Sequence, residues 1–253
     1  MSVTPLLGKV ALVTGGAGGL GSAICEALAN AGATVIVGYN SAETAAKILV
    51  DALNSGIYSN HIAALTPVTD SVALANLSKL IAERFGRLDI LVNCAGTTKF
   101  VAHPDLAALD DALIDTIFAT NVRGPIACVR AMQHLLKADG GGLVVNISSV
   151  AAVTGMGSTI AYCASKAALD NLTKSLARAL APEIRVVSVS PGLVDTEFVK
   201  KMDVTWRDAQ SARTPLGRLA TPEEVALAVL ASATYFTFST GVVFAVDGGR
   251  PLA

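Results

Sequence analysis

The chain has 253 residues, 52% of them hydrophobic and only 15% charged, with 19 Lys and Arg against 20 Asp and Glu for a net charge of −1. That balance excludes a disordered chain and offers no basic field to nucleic acid or to an anionic membrane surface. Length and apolar content predict a single domain over 1–253, built from buried strands and flanking helices, and so low a charged fraction suggests that some helices pack against other subunits.

Short β-branched runs recur along the chain: 9–15, 34–39, 61–68, 88–96, 142–149, 184–192 and 241–249. Helical patterns separate them, which predicts a doubly wound, mostly parallel α/β sheet. After the first run comes "VTGGAGGLG", residues 13–21. Gly16, Gly18 and Gly21 fit one dinucleotide-turn spacing, G-x-G-x-x-G, while Gly15, Gly19 and Gly21 fit another, G-x-x-x-G-x-G. Leu20, Ile24, Ala27, Leu28 and Ala31 then repeat at helical spacing up to Gly32, so the turn opens a helix whose free N–H groups suit a phosphate. At the end of the second run, where an acidic residue would hold ribose hydroxyls, the chain reads Tyr39-Asn40-Ser41, and Glu43 lies beyond on the next helix. Asp70 is either an adenine contact or the N-cap of a helix beginning at Ser71.

Cys25, Cys94, Cys128 and Cys163 are scattered, which points to reduced thiols in a cytoplasmic compartment. His61, His103 and His134 have no metal-ligand spacing, so no metal is expected, and no uncharged apolar run is long enough to span a bilayer. "DGGG" at 139–142 reads as a helix-to-strand turn. Residues 193–216 carry Lys200, Lys201, Trp206, Arg207 and Arg213 after the sixth run. They form either a substrate lid at the carboxyl ends of the strands or a surface helical excursion that touches no substrate.

"AYCASK" (161–166) puts Tyr162 and Lys166 four apart, on one face of a helix, with Ser149 thirteen residues before the Tyr at a strand end. An ammonium beside a phenol favours phenolate and makes it a usable acid or base near neutrality.

In this order Thr14-Gly15-x-x-x-Gly19-x-Gly21, Asp70, Asn93-x-Ala95-Gly96, Asn121 in "NVRG", Ser149, Tyr162-x-x-x-Lys166, Pro191-Gly192 and the closing "VDGG" resemble the short-chain dehydrogenase/reductase family over essentially the whole chain. The resemblance implies a Rossmann-type, seven-stranded sheet with helices on both faces and, commonly, a homotetramer. It selects Gly15, Gly19 and Gly21 as the fingerprint and leaves Gly16 and Gly18 as additional small residues. It implies Tyr162 as the acid or base at a carbonyl or alcohol oxygen, Ser149 as donor to that oxygen, and Lys166 as the group that keeps Tyr162 reactive and binds the nicotinamide ribose. Asn121 is implied to hold a water in a proton relay. The dinucleotide set it implies is Thr14, Gly15, Gly19, Leu20, Gly21, Tyr39, Asn40, Ser41, Asp70, Asn93, Ala95, Gly96, Tyr162, Lys166, Pro191, Gly192 and Thr196. One departure stands out: Cys94 replaces the second Asn of the family's Asn-Asn-Ala-Gly, which puts hydrogen bonding beside the central strand in doubt. Cys163 is expected to pack rather than react.

Within the family, the pattern is closest to 3-oxoacyl-carrier-protein reductases and related sugar, polyol and ketone dehydrogenases. Glu183 would repel an acidic carrier, so the expected activity is NAD(P)-dependent hydride transfer to or from an unidentified small carbonyl or alcohol. Carrier-linked reduction and a non-catalytic dinucleotide sensor remain as alternatives. With no carboxylate at 39–41 and hydrogen-bond donors at Asn40 and Ser41, NADP(H) is expected to be preferred over NAD(H) by a small factor, both being accepted.

Overall fold

A computed structural model describes residues 4–252. Seven strands, β1 (Val10–Thr14), β2 (Thr34–Tyr39), β3 (Ile62–Leu65), β4 (Ile90–Asn93), β5 (Gly142–Ile147), β6 (Ile184–Pro191) and β7 (Val243–Val246), form one sheet in the order β3-β2-β1-β4-β5-β6-β7. Every neighbouring pair is parallel. All seven lie within the runs expected to be strands.

Alternation along the strands builds two cores, because successive side chains leave a strand on opposite faces. Ala11, Val13, Val35, Val37, Ile90, Val92, Val145 and Val187 share one cluster with Ile24 and Leu28 of α1 (Gly19–Asn30) and with Val225 and Val229 of α10 (Pro222–Thr234). Val10, Leu12, Ile36, Leu91, Val144 and Val186 face the other way, onto α3 (Ser71–Phe85), α5 (Gly124–Leu136) and α7 (Ile160–Leu180). With both faces covered, the strands carry near-continuous apolar runs, as parallel sheets require. His61 is buried inside this framework, its Nδ1 accepting from Val35 N at 2.9 Å, which is a structural duty.

The remaining helices are α2 (Glu43–Asn54), α4 (Asp111–Phe118), α6 (Ala151–Thr154), α8 (Glu197–Lys200) and α9 (Val204–Ala212). α4 runs into α5 through a π-turn, Ala119–Arg123, and such turns often mark functional sites. The segment 193–216 contains α8 and α9 and is more regular than a bare loop. Among the described residues no helix is long and apolar enough to cross a membrane.

Candidate functional site

Because all strands run the same way, their carboxyl ends share one edge, and the chain reverses direction across the sheet between β1 and β4, where ligands settle in open α/β sheets. A groove of about 620 Å³ opens there, lined by Gly15, Gly19, Leu20 and Gly21, by Tyr39, Asn40 and Ser41, by Thr66–Thr69, and by Cys94, Ala95, Gly96 and Thr97.

The glycines divide by what a side chain would strike. Gly15 has φ +65°, and a Cβ on it would lie 3.0 Å from Ala95 Cα. A Cβ on Gly21 would fall 2.2 Å from the Gly15 carbonyl oxygen and 2.8 Å from Gly16 Cα. A Cβ on Gly19 would meet only the Thr196 side chain, at ordinary contact distances of 3.5 and 3.7 Å, so the protein itself does not demand glycine there. Gly16 is more than an additional small residue: its Cβ would sit 3.0 to 3.2 Å from Val13 O, Cys25 Sγ and Val37 Cγ1. α1 starts at Gly19 with no side-chain cap and no acidic residue in its first turn, so its N–H groups face the groove unspent.

Thr14 and Asn93, expected at the dinucleotide, and Asp70, read either as an adenine contact or as an N-cap, also bond within the protein. Thr14 Oγ1 accepts from Cys94 N at 3.1 Å and from Ala95 N at 3.0 Å. It thereby holds the turn in which the family's second Asn is missing, while the Cys94 sulfur packs against the apolar core. Asn93 Nδ2 donates to buried Asn146 Oδ1 at 2.9 Å, and Asn146 Nδ2 donates in turn to Thr173 at 2.9 Å. Asp70 Oδ1 accepts from Val72 N and Ala73 N, the N-cap alternative.

At the other end of the groove lies the titratable cluster. A Cβ on Gly96 would stand 3.5 Å from Asn121 Oδ1 and 3.7 Å from Lys166 Nζ, so groove and cluster adjoin. Asn121, in the π-turn, is 1% exposed. Its Oδ1 accepts from Thr97 N at 2.8 Å and its Nδ2 donates to Thr97 O and Ser165 Oγ, both at 3.0 Å. Both ends of the amide thus help lock the loop after β4 onto α7, and Oδ1, with one bond accepted, keeps a second lone pair. Thr159 caps α7 through Tyr162 N, fixing the first turn that carries the Tyr. Ser149 Oγ accepts from Ala151 N at 3.2 Å, which leaves its own proton to donate, and it is close enough to the Tyr162 phenol to hold it down. Lys166 Nζ donates to Ile147 O at 2.7 Å and stands 5.7 Å from the Tyr162 ring centroid.

One expectation is corrected here. Burial pushes the Tyr162 phenol up from 10, the Ser149 hydroxyl opposes this, and Lys166 does not bring it down. The reason is that Lys166 is itself buried: desolvation lowers it from 10.5 to about 8, and its ammonium is turned to a backbone carbonyl rather than to the phenolic oxygen. At neutral pH Tyr162 is a phenol that can donate a proton. Burial also raises the Cys163 thiol and takes Cys94 to about 11, which makes both poor nucleophiles.

Pro191 O accepts from Val150 N at 2.8 Å and Gly192 N donates to Val246 O at 2.9 Å, so this turn ties the Ser149 loop to β7. The sequence reading omitted the Thr66–Thr69 stretch, Cys94, Thr97, Thr116 and Thr120 from the groove wall. Thr66–Thr69, Cys94 and Thr97 could have been found from their positions just after β3 and β4, whereas Thr116 on α4 and Thr120 in the π-turn carry no such signal.

The short chain dehydrogenase family model matches residues 9–206. Cis-4-hydroxycyclohexanecarboxylate dehydrogenase of Sinomonas cyclohexanicum is 38% identical over 248 residues, covering 95% of this chain and 96% of that protein. A 3-oxoacyl-acyl-carrier-protein reductase of Thermotoga maritima is 33% identical, covering 96% and 98%. The 7alpha-hydroxysteroid dehydrogenase of Clostridium sardiniense is 34% identical, covering 98% and 95%. A crystal structure from Burkholderia xenovorans, described as a short-chain dehydrogenase/reductase, superposes with a TM-score of 0.89 at 33% identity, covering both chains completely. With a glycine turn at a β1–α1 junction, a Ser-Tyr-Lys cluster whose lysine adjoins the groove at Gly96 and full-length relatives of this kind, the chain belongs to the short-chain dehydrogenase family.

Proposed function

We propose that this protein is an NAD(P)-dependent oxidoreductase that transfers a hydride between nicotinamide and a small carbonyl compound or secondary alcohol. The observation that carries the reading is the place of Lys166, whose Nζ would stand 3.7 Å from a Cβ on Gly96 at the groove wall and lies 5.7 Å from the Tyr162 ring centroid.

A dinucleotide fits the groove, because the start of α1 has no side-chain cap and Gly19 puts no Cβ, only a Thr196 contact, over N–H groups that suit a diphosphate. Gly15, Gly19, Leu20 and Gly21 would hold that diphosphate, Tyr39, Asn40 and Ser41 the adenosine ribose, and Lys166 the nicotinamide ribose. When bound, the nicotinamide supplies or accepts the hydride. Tyr162 supplies the proton to the carbonyl oxygen in reduction, and Ser149 donates to the same oxygen and stabilises its developing charge. Lys166 has spent one proton on Ile147 O and has two left for ribose hydroxyls. Asn121 Oδ1 accepts one bond, from Thr97 N, and its second lone pair would hold the relay water.

Cofactor choice rests on the region after β2. Glu43 hydrogen-bonds Tyr39 and pairs with Lys47 at 2.6 Å, so the only carboxylate in the first turn of α2 is matched by a cation. That leaves no net repulsion toward a 2′-phosphate, and NADP(H) is preferred by a small factor with NAD(H) accepted. The segment 193–216 acts as the lid: Thr196 touches the space over Gly19, and Arg207 of α9 pairs with Asp195 at its base at 2.7 Å. Carrier-linked reduction is the second reading, favoured by the 3-oxoacyl-acyl-carrier-protein reductases among the relatives. Against it, Glu183 and Lys137 pair at 3.7 Å beside the turn into β5 and leave no basic patch there. A screen of ketones, oxoacyl thioesters and sugars with both reduced dinucleotides tests the proposal. Oxidation of either dinucleotide by a carbonyl substrate supports it, and tight binding without turnover on any substrate would favour a sensor.

A further inference from the structure

We infer that Gly157 is a positioning residue for Tyr162: the turn 155–158 lays its main chain against the edge of the phenol ring and so sets where the phenolic oxygen points. The inference rests on the proposed acid chemistry of Tyr162 and adds a residue that acts through that ring.

Two glycines in this turn serve different ends. Gly155 has φ +65° and nothing within 4 Å of where its Cβ would lie, so it supplies the left-handed backbone that ends α6. Gly157 lies outside the left-handed region, yet a Cβ on it would stand 2.8 Å from Cys163 Sγ, 3.2 Å from Tyr162 Cδ1 and 3.2 Å from Ala151 Cβ. Position 157 therefore requires close approach, not backbone freedom. Two of those three neighbours are the tyrosine itself and the residue after it, in the first turn of α7, and the third opens the short helix that follows Ser149.

The turn is held from both sides. Thr154 Oγ1 accepts from Met156 N at 3.2 Å and donates to Val150 O at 3.0 Å, which ties the turn to the Ser149 segment. Ser158 O accepts from Val101 N at 2.9 Å, and the Ser158 and Thr98 hydroxyls hydrogen-bond each other, which ties it to the loop after β4. Thr159 then caps α7 through Tyr162 N at 2.9 Å. Residues 157–159 thus hold both the main chain and the ring edge of Tyr162, while Lys166 Nζ stands over the ring at 5.7 Å from its centroid. A methyl added at position 157 has to displace the sulfur, the turn or the ring. The sulfur is buried, whereas the turn is exposed and the ring half-buried, so the turn and the ring give way. A displacement of about 1 Å at a reacting atom can cost about 10²-fold in rate.

The test measures kcat for carbonyl reduction, and affinity for both reduced dinucleotides by calorimetry, in Gly157→Ala, Cys163→Ala and the double variant, with circular dichroism melting as the control for folding. Gly157→Ala should lower kcat by about 10- to 100-fold and leave dinucleotide affinity within about twofold of the parent. Cys163→Ala alone should keep the parent's kcat. Removing the sulfur gives the new methyl room away from the ring, so the double variant should regain at least about fivefold of the lost kcat, which a merely weakened fold would not do. A folded Gly157→Ala with parental kcat, a loss of dinucleotide affinity that matches the loss of kcat, or no recovery in the double variant overturns the inference. If Gly157→Ala does not fold, Cys163→Val takes its place by crowding the same contact from α7: lowered kcat with parental affinity supports the inference, and parental kcat overturns it. A parent with no dinucleotide-dependent turnover on any substrate would sink the functional reading itself, a result distinct from an unmoved kcat in an active enzyme.

Discussion

Gly19 and Gly21 sit two residues apart in the same turn, yet the structure requires them for different reasons, and alanine at each should separate those reasons. A methyl at position 21 would lie 2.2 Å from the Gly15 carbonyl oxygen, 2.8 Å from Gly16 Cα and 2.9 Å from Gly15 C, all backbone atoms. None of these can rotate away, so β1 and α1 must part, at a cost of about 3 kcal/mol, the upper end of ordinary overpacking. For a domain of this size that corresponds to a melting temperature lower by about 6–12 °C. A methyl at position 19 meets only Thr196 at 3.5 and 3.7 Å, ordinary contact distances, and Gly19 opens α1, where alanine gains roughly 0.5–1 kcal/mol in helix preference. Gly19→Ala should therefore melt at or slightly above the parent. If the space over Gly19 belongs to a diphosphate, the same methyl weakens dinucleotide binding by at least about tenfold, or 1.4 kcal/mol. Thermal melting by circular dichroism and dinucleotide titration by calorimetry on both variants give the four numbers required. Parental affinity in Gly19→Ala, or a parental melt in Gly21→Ala, would refute this division of roles.

Lys166→Met should lower turnover by roughly 10²-fold or more, the scale of removing one preorganised donor, and should weaken dinucleotide affinity as well; a fall in turnover alone would remove the ribose contact. Because the folded state holds Lys166 at about 8, below its usual 10.5, the unfolded chain binds more protons between those values. This lysine therefore makes the fold more stable as pH rises through that window, and Lys166→Met should flatten that part of the stability profile measured by denaturant titration. Tyr39→Asp puts a carboxylate against the 2′ position and should reverse a modest NADP(H) preference; kcat/KM for both dinucleotides before and after the change decides it, and a parent strongly selective for NAD(H) contradicts the cofactor reading. Phe238, Leu252 and Val242 leave an exposed apolar surface around β7, so light scattering should find a homotetramer, and a stable monomer at micromolar concentration would rule this out.

The strands were legible because each is a short β-branched run bounded by turn residues, and the order of motifs along them located the site. What escaped the sequence depends on contacts between distant segments. Gly16 reads as a spare glycine until Val37, from the neighbouring strand, is seen against it. Asn93 matches a family motif, but its amide nitrogen is bound to Asn146, 53 residues away, while its buried Oδ1 has no partner. Asp70 was ambiguous in sequence because one carboxylate can cap a helix or face a ligand; the bonds from Val72 N and Ala73 N show the cap, and both fall on Oδ1. The spacing of Tyr162 and Lys166 gave their shared helix face but not their burial, which reverses the direction expected for the phenol.

Turnover of Tyr162→Phe, measured beside its dinucleotide affinity, tests the central claim most directly. The change removes the phenolic proton and keeps the ring, so carbonyl reduction should fall by roughly 10² to 10⁴-fold while dinucleotide affinity stays within twofold of the parent, about 0.4 kcal/mol. A variant that keeps more than half the parent's turnover would show that Tyr162 is not the acid.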